Sequence, residues 1–455
     1  MQPNTPNELP RVLTARHALS IVVGIVIGSG IFLVPREMMA ATGRVSVVYA
    51  VWIVGGLLSL FGAMSYAEVA ALRPRVGGEY AFIREAYGDL PAFLNTWTWV
   101  TIAKPASIAT IAAGLMRILG SFSALSFLSQ PAFAHLLWSQ VAAIAVTWLI
   151  TWLNIVSTRE SANVQTFLTW LKILLIVGIA VVCFASLRQG SLHHLATVYL
   201  GAHAGLTGFM TALIAALWAY DGWSDVSQLA GEVRDPQRSM PLALVGGVFI
   251  VAALYMLVQG AIQYILPAAV IATSDRPAAD ALRVVAGSAG SALVTIGMAV
   301  SICATFVGSS LSGARVPFAA ARDHLFPRSL AAIHPRFHTP SASLILQAVL
   351  SSLLLLAVGK FQALFSLAIV SEWLFYALTA STVFVFRRRD PGTPRPYSVN
   401  GYPVTPILFI LAALMIIVFS FVTEPRNSIA GAAVILLGVP LYWWMKSKQR
   451  SRGTT

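Results

Sequence analysis

The chain is poor in charged residues, which make up only 10% of its 455 residues, whereas 57% are hydrophobic. A soluble protein of this size carries about 25% charged residues. With a mean hydropathy of +0.77, the chain has too little polar surface to face water and is expected to be an integral membrane protein. Its two cysteines, Cys183 and Cys303, lie inside apolar runs, so the sequence predicts neither a disulfide framework nor a metal site.

Enzyme motifs are also missing. The sequence has no Walker loop, no His-Glu-x-x-His pair and no Gly-x-Ser-x-Gly elbow. The first apolar run ends in Pro35-Arg36-Glu37 rather than in the small residues of a cleavage site. We therefore expect no enzyme activity, no cofactor and no cleaved leader. The net charge of +13 fits loops that face anionic lipid better than it fits nucleic-acid binding.

Twelve apolar segments are long enough to cross a bilayer as helices. Most lysines and arginines between them fall on the side that holds both chain ends, which predicts cytoplasmic termini. We expect an all-α membrane protein with a tail at 1–16, helices 1–5 in 17–187, helices 6–10 in 206–386, helices 11 and 12 in 404–446, and a second tail at 447–455. The segments are 17–43, 46–71, 89–119, 133–155, 163–187, 206–230, 240–266, 287–320, 341–358, 361–386, 404–422 and 428–446.

Gly28-Ser29-Gly30 interrupts the first segment. Each glycine costs a helix on the order of 1 kcal/mol relative to alanine, and unpaired backbone groups cost several kcal/mol more in lipid. If the helix opens here, the N–H groups of Ser29, Gly30 and Ile31 begin a second half-helix whose positive end suits a carboxylate. This predicts a discontinuous transporter helix. The alternative is close helix packing through Gly24 and Gly28.

The sixth segment has a matching interruption, with Asp221 and Gly222 at its centre. A charged residue beside a glycine in mid-membrane is typical of an opened helix. Two interrupted helices at matching places in two five-helix halves predict an inverted repeat with a site between them. Trp218 and Trp223 flank the break, where a ring could close over a solute as a gate or could simply pack.

Other ionisable residues lie within the apolar segments, where charge is costly. The ammonium of Lys172 either replaces a metal cation, loses its proton, or is purely structural. Asp221 either binds a substrate ammonium or cationic side chain, or pairs with Lys104. Glu372 is a further buried acid and a candidate for gating or proton transfer.

Hydroxyl groups complete the set of candidate site residues. Tyr255 offers a hydroxyl in the seventh segment and is a candidate for gating. Ser309, Ser310 and Ser312 in the eighth segment are expected close enough to bind a cation or the Lys172 ammonium.

At these residues the chain resembles the amino acid–polyamine–organocation (APC) superfamily, and within it the L-type amino-acid transporters. The similarity runs through nearly the whole chain. It is carried by the stretches 24–32, 165–172, 218–223, 231–236 and 313–323. The resemblance implies a LeuT-type fold, a five-plus-five inverted repeat in which helices 1 and 6 are discontinuous.

The same resemblance implies roles for individual residues. The substrate carboxylate would meet the N–H groups of Ser29, Gly30 and Ile31. The substrate ammonium would meet carbonyls near Ile27 and within the stretch Trp218, Ala219, Tyr220 and Asp221. Lys172 would stand where sodium-coupled relatives hold sodium, which implies sodium-independent transport.

The resemblance also bears on partners. Animal L-type transporters carry a cysteine between spans 3 and 4 that bonds a glycoprotein chain, and residues 120–134 contain none here. A bacterial homologue without a disulfide-linked heavy chain is implied.

We therefore expect an exchanger of L-amino acids that works by alternating access in the cell (inner) membrane. The alternatives are a proton symporter in which Lys172 or Glu372 titrates, a carrier of cationic amino acids or polyamines, and a channel or membrane enzyme. Lys104-Pro105 and the stretch 218–223 resemble the subtype that carries cystine and dibasic amino acids, but some bacterial carriers of small neutral amino acids also have an acid at position 221. The preferred side chain and the oligomeric state stay open.

Overall fold

The computed structural model describes residues 9–28, 30–133, 136–357, 361–423 and 425–452. These residues are mostly helical. One antiparallel strand pair, β1 (Pro131–Phe133) and β2 (Leu136–Leu137), overlaps the start of the predicted fourth span, whose helix begins at Trp138. Apart from this strand pair, the helical character expected from the sequence is confirmed among the described residues.

The N-terminal half contains eight α-helices among the described residues. A π-helical stretch, Trp99–Ala103, joins the fifth to the sixth, and 3₁₀ turns follow at Ser123–Ser129 and Leu192–Ala196. The helices are α1 (Ala15–Val26), α2 (Gly30–Thr42), α3 (Val45–Leu72), α4 (Glu79–Tyr87), α5 (Asp89–Thr98), α6 (Lys104–Leu119), α7 (Trp138–Val156) and α8 (Thr158–Ala185).

The C-terminal half continues with ten α-helices among the described residues. They are α9 (Gly205–Ala219), α10 (Pro236–Pro241), α11 (Gly247–Ile265), α12 (Ala268–Thr273), α13 (Pro277–Gly313), α14 (Arg315–Arg322), α15 (Ser341–Ala357), α16 (Phe361–Arg389), α17 (Val404–Thr423) and α18 (Pro425–Arg452). A 3₁₀ segment, Trp223–Glu232, follows α9; a second 3₁₀ turn spans Arg328–Ala331; and a π-helical turn, Leu242–Gly246, joins α10 to α11.

Within the part of the chain that the structure describes, nine helical stretches are long and apolar enough to cross a membrane, and α15 is a shorter apolar helix. The chain is therefore a multi-pass membrane protein. The count of twelve spans stays a prediction.

The interior surrounds α1, α2, α9 and α13. Helix α8 packs against α13, α11 and α1, and α2 packs against α9. Large apolar side chains on the outer surface, such as Trp170 and Leu174 of α8, are two-thirds exposed, as expected where lipid replaces water.

Candidate functional site

The first apolar segment is interrupted in the structure. Helix α1 ends at Val26, Ile27 leaves the helical conformation with ψ of 76°, and α2 begins at Gly30. Ser29 lies outside the described residues. A Cβ atom at Gly30 would lie only 2.8 Å from the Cα atom of Ala219, so the second half-helix can approach the other interruption this closely only with glycine at its start.

The sixth segment is interrupted at the matching place. Helix α9 ends at Ala219, and Gly222 takes a left-handed conformation with φ of 97°. The chain then continues as the 3₁₀ segment Trp223–Glu232 rather than as the continuous helix of an uninterrupted span. Because of this turn, the residues after Gly222 present different side chains to the interior from those that a continuous helix would present.

Tyr255 of α11 joins the two interruptions. Its hydroxyl oxygen lies 2.8 Å from the carbonyl oxygen of Val26 and 2.7 Å from that of Ala219. A tyrosine hydroxyl has one proton to donate, so the two carbonyls share it. Both carbonyls lie at the ends of first half-helices, where the regular intrahelical donors stop, and that of Val26 also accepts from the N–H of Gly28 at 2.7 Å.

Lys172 of α8 is buried against the end of α1. Its Nζ atom donates to the carbonyl oxygens of Gly24 at 2.7 Å, Ile27 at 2.8 Å and Ser301 at 3.0 Å. The hydroxyl of Thr305 lies 3.5 Å away. The ammonium thus sits at the negative end of a half-helix dipole and ties α1 to α8 and α13.

The structure brings different hydroxyls to Lys172 from those expected. The hydroxyl of Thr305 and the backbone carbonyl of Ser301 contact it, whereas Ser309 lines the cavity described below and the carbonyl of Ser310 accepts from Gln347. The expected serines therefore lie along α13 beyond the ammonium, about one to two helical turns past Thr305.

Lys104 is paired with an acid that sequence reasoning missed. Its Nζ atom lies 2.6 Å from Oδ2 of Asp225, which also accepts from the Ser312 hydroxyl at 2.7 Å. Both side chains of the ion pair are nearly fully buried. The pairing of Lys104 with Asp221 is therefore wrong, because the turn at Gly222 brings Asp225 to the lysine instead. An acid four residues after Asp221 in the same apolar segment was the available signal.

Asp221 instead accepts a hydrogen bond from a tyrosine of α16. The hydroxyl of Tyr376 donates to Oδ1 of Asp221 at 2.9 Å. Glu372 lies one turn earlier on the same helix and is 7% exposed. Carboxyl groups from two parts of the chain therefore face the same interior space.

A cavity of about 70 Å³ lies between the two interruptions. It combines backbone at both helix breaks with buried charge, the combination that a site for a zwitterion needs. Its lining includes Gly28, Gly30, Lys104, Thr110, Trp218, Ala219, Asp221, Asp225, Thr305, Ser309, Glu372 and Tyr376.

Several predicted site residues lie behind this lining. Ile27 and Ile31 are buried, and the Ile27 carbonyl is bound by Lys172. Tyr220 packs its ring against Trp52 and Tyr255.

Trp223 also lies behind the lining. It packs edge-on against Tyr66 with ring centroids 4.9 Å apart. It is 1% exposed, and its role as a gate stays a prediction.

Comparison with known proteins identifies relatives over the whole chain. The family model described as amino acid permease matches residues 13–445. The serine/threonine exchanger SteT of Bacillus subtilis is 32% identical over 450 residues, which cover 98% of this chain and 99% of SteT. The human cystine/glutamate transporter is 30% identical over 96% of this chain and 85% of its own length. The human b(0,+)-type amino acid transporter 1 is 27% identical over 98% and 89%. The resemblance seen in the sequence motifs is confirmed.

Proposed function

This chain belongs to the amino acid permease family, and on that premise we propose that it is a sodium-independent exchanger of L-amino acids that works by alternating access. The observation that carries the proposal is the position of Lys172. Its ammonium lies within 3.0 Å of three carbonyl oxygens at the end of α1 and on α13, as a bound monovalent cation would. A fixed positive charge there removes the need for sodium.

The proposed fold is the LeuT-type inverted repeat of twelve spans, with both termini in the cytoplasm. The first repeat comprises 17–187 and the second 206–386, followed by helices 11 and 12 in 404–446 and flanked by the tails 1–16 and 447–455. The facing interruptions after α1 and after α9 support this arrangement, because inverted repeats carry their broken helices at corresponding positions.

The proposed substrate site is the cavity between the interruptions. The substrate carboxylate binds the N–H groups at the start of α2, at Gly30 and Ile31, together with Ser29. The ammonium lies toward Asp221 and the carbonyls of the stretch 218–220. This placement is supported by the lining of the cavity, in which Gly30, Ala219 and Asp221 take part.

Reconstituted protein tests this function. Proteoliposomes loaded with unlabelled amino acid are expected to take up labelled amino acid from a panel of L-amino acids, equally well with sodium or with choline outside and without a pH gradient. Lys172→Ala is expected to lower exchange more than tenfold, because three buried carbonyls lose a charged donor, and hydrogen bonds to charged groups contribute about 1.5–3 kcal/mol each. Lys448→Ala in α18 serves as the matched control. Uptake that requires sodium, or unchanged exchange by Lys172→Ala, would refute the proposal.

A second candidate function is transport of cationic amino acids or polyamines. It is favoured by the cavity lining, in which three carboxyl groups, Asp221, Asp225 and Glu372, face a single ammonium, Lys104. Asp221→Asn is expected to weaken competition by lysine and arginine more than competition by serine or alanine. A uniform change across the panel would favour the neutral substrates instead.

We also propose that the chain works without a disulfide-linked heavy chain, since residues 120–134 contain no cysteine. Exchange by the purified single chain is the expected result. Activity only after addition of a second membrane protein would contradict it.

A further inference from the structure

Glu79 lies beneath the substrate cavity, although the sequence places it in a short polar helix between two spans. It is the first residue of α4, yet only 1% of it is exposed. The preceding Gly77 has φ of 97°, and its N–H donates to the carbonyl of Gln228 at 2.9 Å. This contact holds the start of α4 against the 3₁₀ segment and turns the Glu79 carboxyl inward.

The space around Glu79 contains buried polar atoms without a partner. Oε1 of Glu79, the hydroxyl of Tyr66 and the hydroxyl of Thr379 have no hydrogen-bond partner among the described residues. Tyr66 neighbours both of the others. Unpaired buried polar groups cost about 1–3 kcal/mol each, so three of them converging from α3, α4 and α16 form a site that favours a proton or an ordered water.

The charges around this site do not balance. Glu79, Asp221, Asp225 and Glu372 act on one another, and the ammonium that acts on them is Lys104, which is already paired with Asp225. Buried carboxyl groups close to one another cannot all be ionised, because desolvation and mutual repulsion both favour the neutral form. At least one proton is therefore held within this group.

The other titratable groups near α4 are two phenols inside this cluster and several ion pairs on the outer side of the helix. Tyr66 from α3 and Tyr376 from α16 are the phenols that act in this cluster. On the outer side of α4, Arg84 pairs with Asp89 of α5 and with Asp323, which follows α14. The Tyr80 hydroxyl donates to Asp323. Glu85 pairs with Arg73, Arg75 and Arg389, and Arg315 of α14 pairs with Glu232.

Glu79 is the member of the cluster that lies outside the predicted spans. Burial raises the pKa of Glu79 to about 8; the carboxylates of Asp225 and Asp221 add to the rise, and the nearby hydroxyls of Ser224 and Tyr66 oppose it. A proton on Glu79 therefore exchanges close to neutral pH.

A chain of hydroxyls links Glu79 to the cavity. Ser224 neighbours the Glu79 carboxyl, and its hydroxyl donates to the Tyr376 hydroxyl at 3.3 Å. Tyr376 in turn donates to Asp221 at 2.9 Å. Both donors point toward Asp221, so the free lone pairs of Ser224 are left to accept from a protonated Glu79. If Glu79 gives its proton to Ser224, each hydroxyl passes one proton on and receives one, and Asp221 becomes protonated as Glu79 becomes ionised.

We propose that Glu79 is a proton-binding site coupled to the substrate cavity through Ser224 and Tyr376, so that a proton held on Glu79 keeps Asp221 ionised for the substrate ammonium. This deepens the proposed function and rests on it for the identity of the substrate. When this group of carboxyls releases a proton at high pH, there are two results. Either Glu79 is left ionised and adds negative charge beneath the cavity, or a proton still bound within the group moves to Asp221. In both cases substrate binding becomes pH-dependent.

Two measurements on purified protein test the proposal. The first is the infrared absorption of protonated carboxyl groups without substrate, titrated from about pH 6 to about pH 10, a range that brackets the Glu79 pKa of about 8. Wild type is expected to lose a protonated-carboxyl signal in this range, and Glu79→Gln is expected to lack that change. An identical titration in Glu79→Gln overturns the proposal.

The second measurement is amino-acid binding over the same pH range. Binding by wild type is expected to change by about fivefold or more, the size of an ordinary coupling between two sites, while binding by Glu79→Gln stays flat. Ser224→Ala keeps both acids but interrupts the chain, and is expected to reduce the pH dependence. Ser227→Ala, a buried hydroxyl in the same segment, serves as the matched control and should behave as wild type. Unchanged pH dependence in both Glu79→Gln and Ser224→Ala overturns the coupling.

The two measurements separate the two proposals. If wild type binds no amino acid, the proposed function fails, yet the infrared titration still decides whether Glu79 holds the proton. Should Glu79→Gln fail to fold, Glu79→Asp is used in both measurements. A shifted midpoint then supports the proton site, and an unchanged midpoint overturns it.

Discussion

Ion pairs lie at both faces of the molecule, and they are buried at one face and exposed at the other. On the face that holds the start of α1, Arg315 binds Glu232 through two hydrogen bonds of 2.9 Å and 3.2 Å, and both side chains are at most 1% exposed. On the opposite face, Asp275 pairs with Arg36 of α2 and, at 3.6 Å, with Arg117 of α6. The Asp275 side chain is 73% exposed.

The backbone strengthens the first closure. The N–H of Leu13 donates to the carbonyl of Glu232 at 3.0 Å, and the N–H of Arg234 donates to the carbonyl of Leu13 at 2.7 Å. Removing one member of a buried pair costs about 3–5 kcal/mol, whereas an exposed pair contributes about 0–1 kcal/mol. The α1 face is therefore held firmly and the Asp275 face weakly, and we expect the Asp275 face to open at lower cost.

Arg315→Ala should have the largest effect, because it leaves the Glu232 carboxylate buried without its cation. We expect a loss of stability on the order of 3–5 kcal/mol, measured as a lower melting temperature in detergent. Arg322→Ala is the matched control at the end of the same helix, where the guanidinium lies 5.8 Å from the centre of the Phe318 ring. Equal losses in the two variants would contradict the contrast between the faces.

Tyr255→Phe tests the connection midway between the two faces. Phenylalanine keeps the ring packing against Trp52, at 5.1 Å between centroids, but removes the hydroxyl shared by Val26 and Ala219. The loss of about 1–3 kcal/mol should slow exchange about tenfold, measured in proteoliposomes. Tyr264→Phe on the same helix is the control, and a similar slowing there would argue against a specific role for Tyr255.

Glu79→Gln should make the stability of the α1 face less dependent on pH. With a pKa of about 8 against an ordinary value of 4.5, folded Glu79 keeps a proton that the unfolded chain has lost. Wild type therefore loses stability as the pH rises from about 5 to about 8, and the neutral variant does not share this loss. The difference in melting temperature should grow over that window and then level off. A constant difference would show that Glu79 does not keep its proton.

Asp275→Asn should have the smallest effect. We expect a change below about 1 kcal/mol in stability, and a modest change in exchange rate that disappears at high salt because exposed charges are screened. Exchange rates in low and high salt measure it. A loss as large as that of Arg315→Ala would reverse the comparison between the faces.

The sequence was sufficient for the two helix interruptions. Gly28 and Gly30, and Asp221 beside Gly222, lie inside apolar runs where few physical arrangements can accommodate them. Lys172 was predictable as a buried ammonium for the same reason.

Side-chain partners were much less predictable. Lys104 pairs with Asp225 because of the turn at Gly222, and Lys172 meets Thr305 because packing sets the depth of α13 against α8. Such pairs lie more than 100 residues apart in the chain and depend on how helices dock. Glu79 looks like an ordinary acid in the first turn of a helix, and only the docking of Gly77 onto the 3₁₀ segment buries it.

The close approach of Gly30 to Ala219 makes it possible to change the conformation of the molecule with one substitution. A methyl group at position 30 would act as a wedge that forces the first half of α2 away from the end of α9. Gly30→Ala should therefore trap the protein with its two broken helices apart, in a single arrested state suited to structure determination.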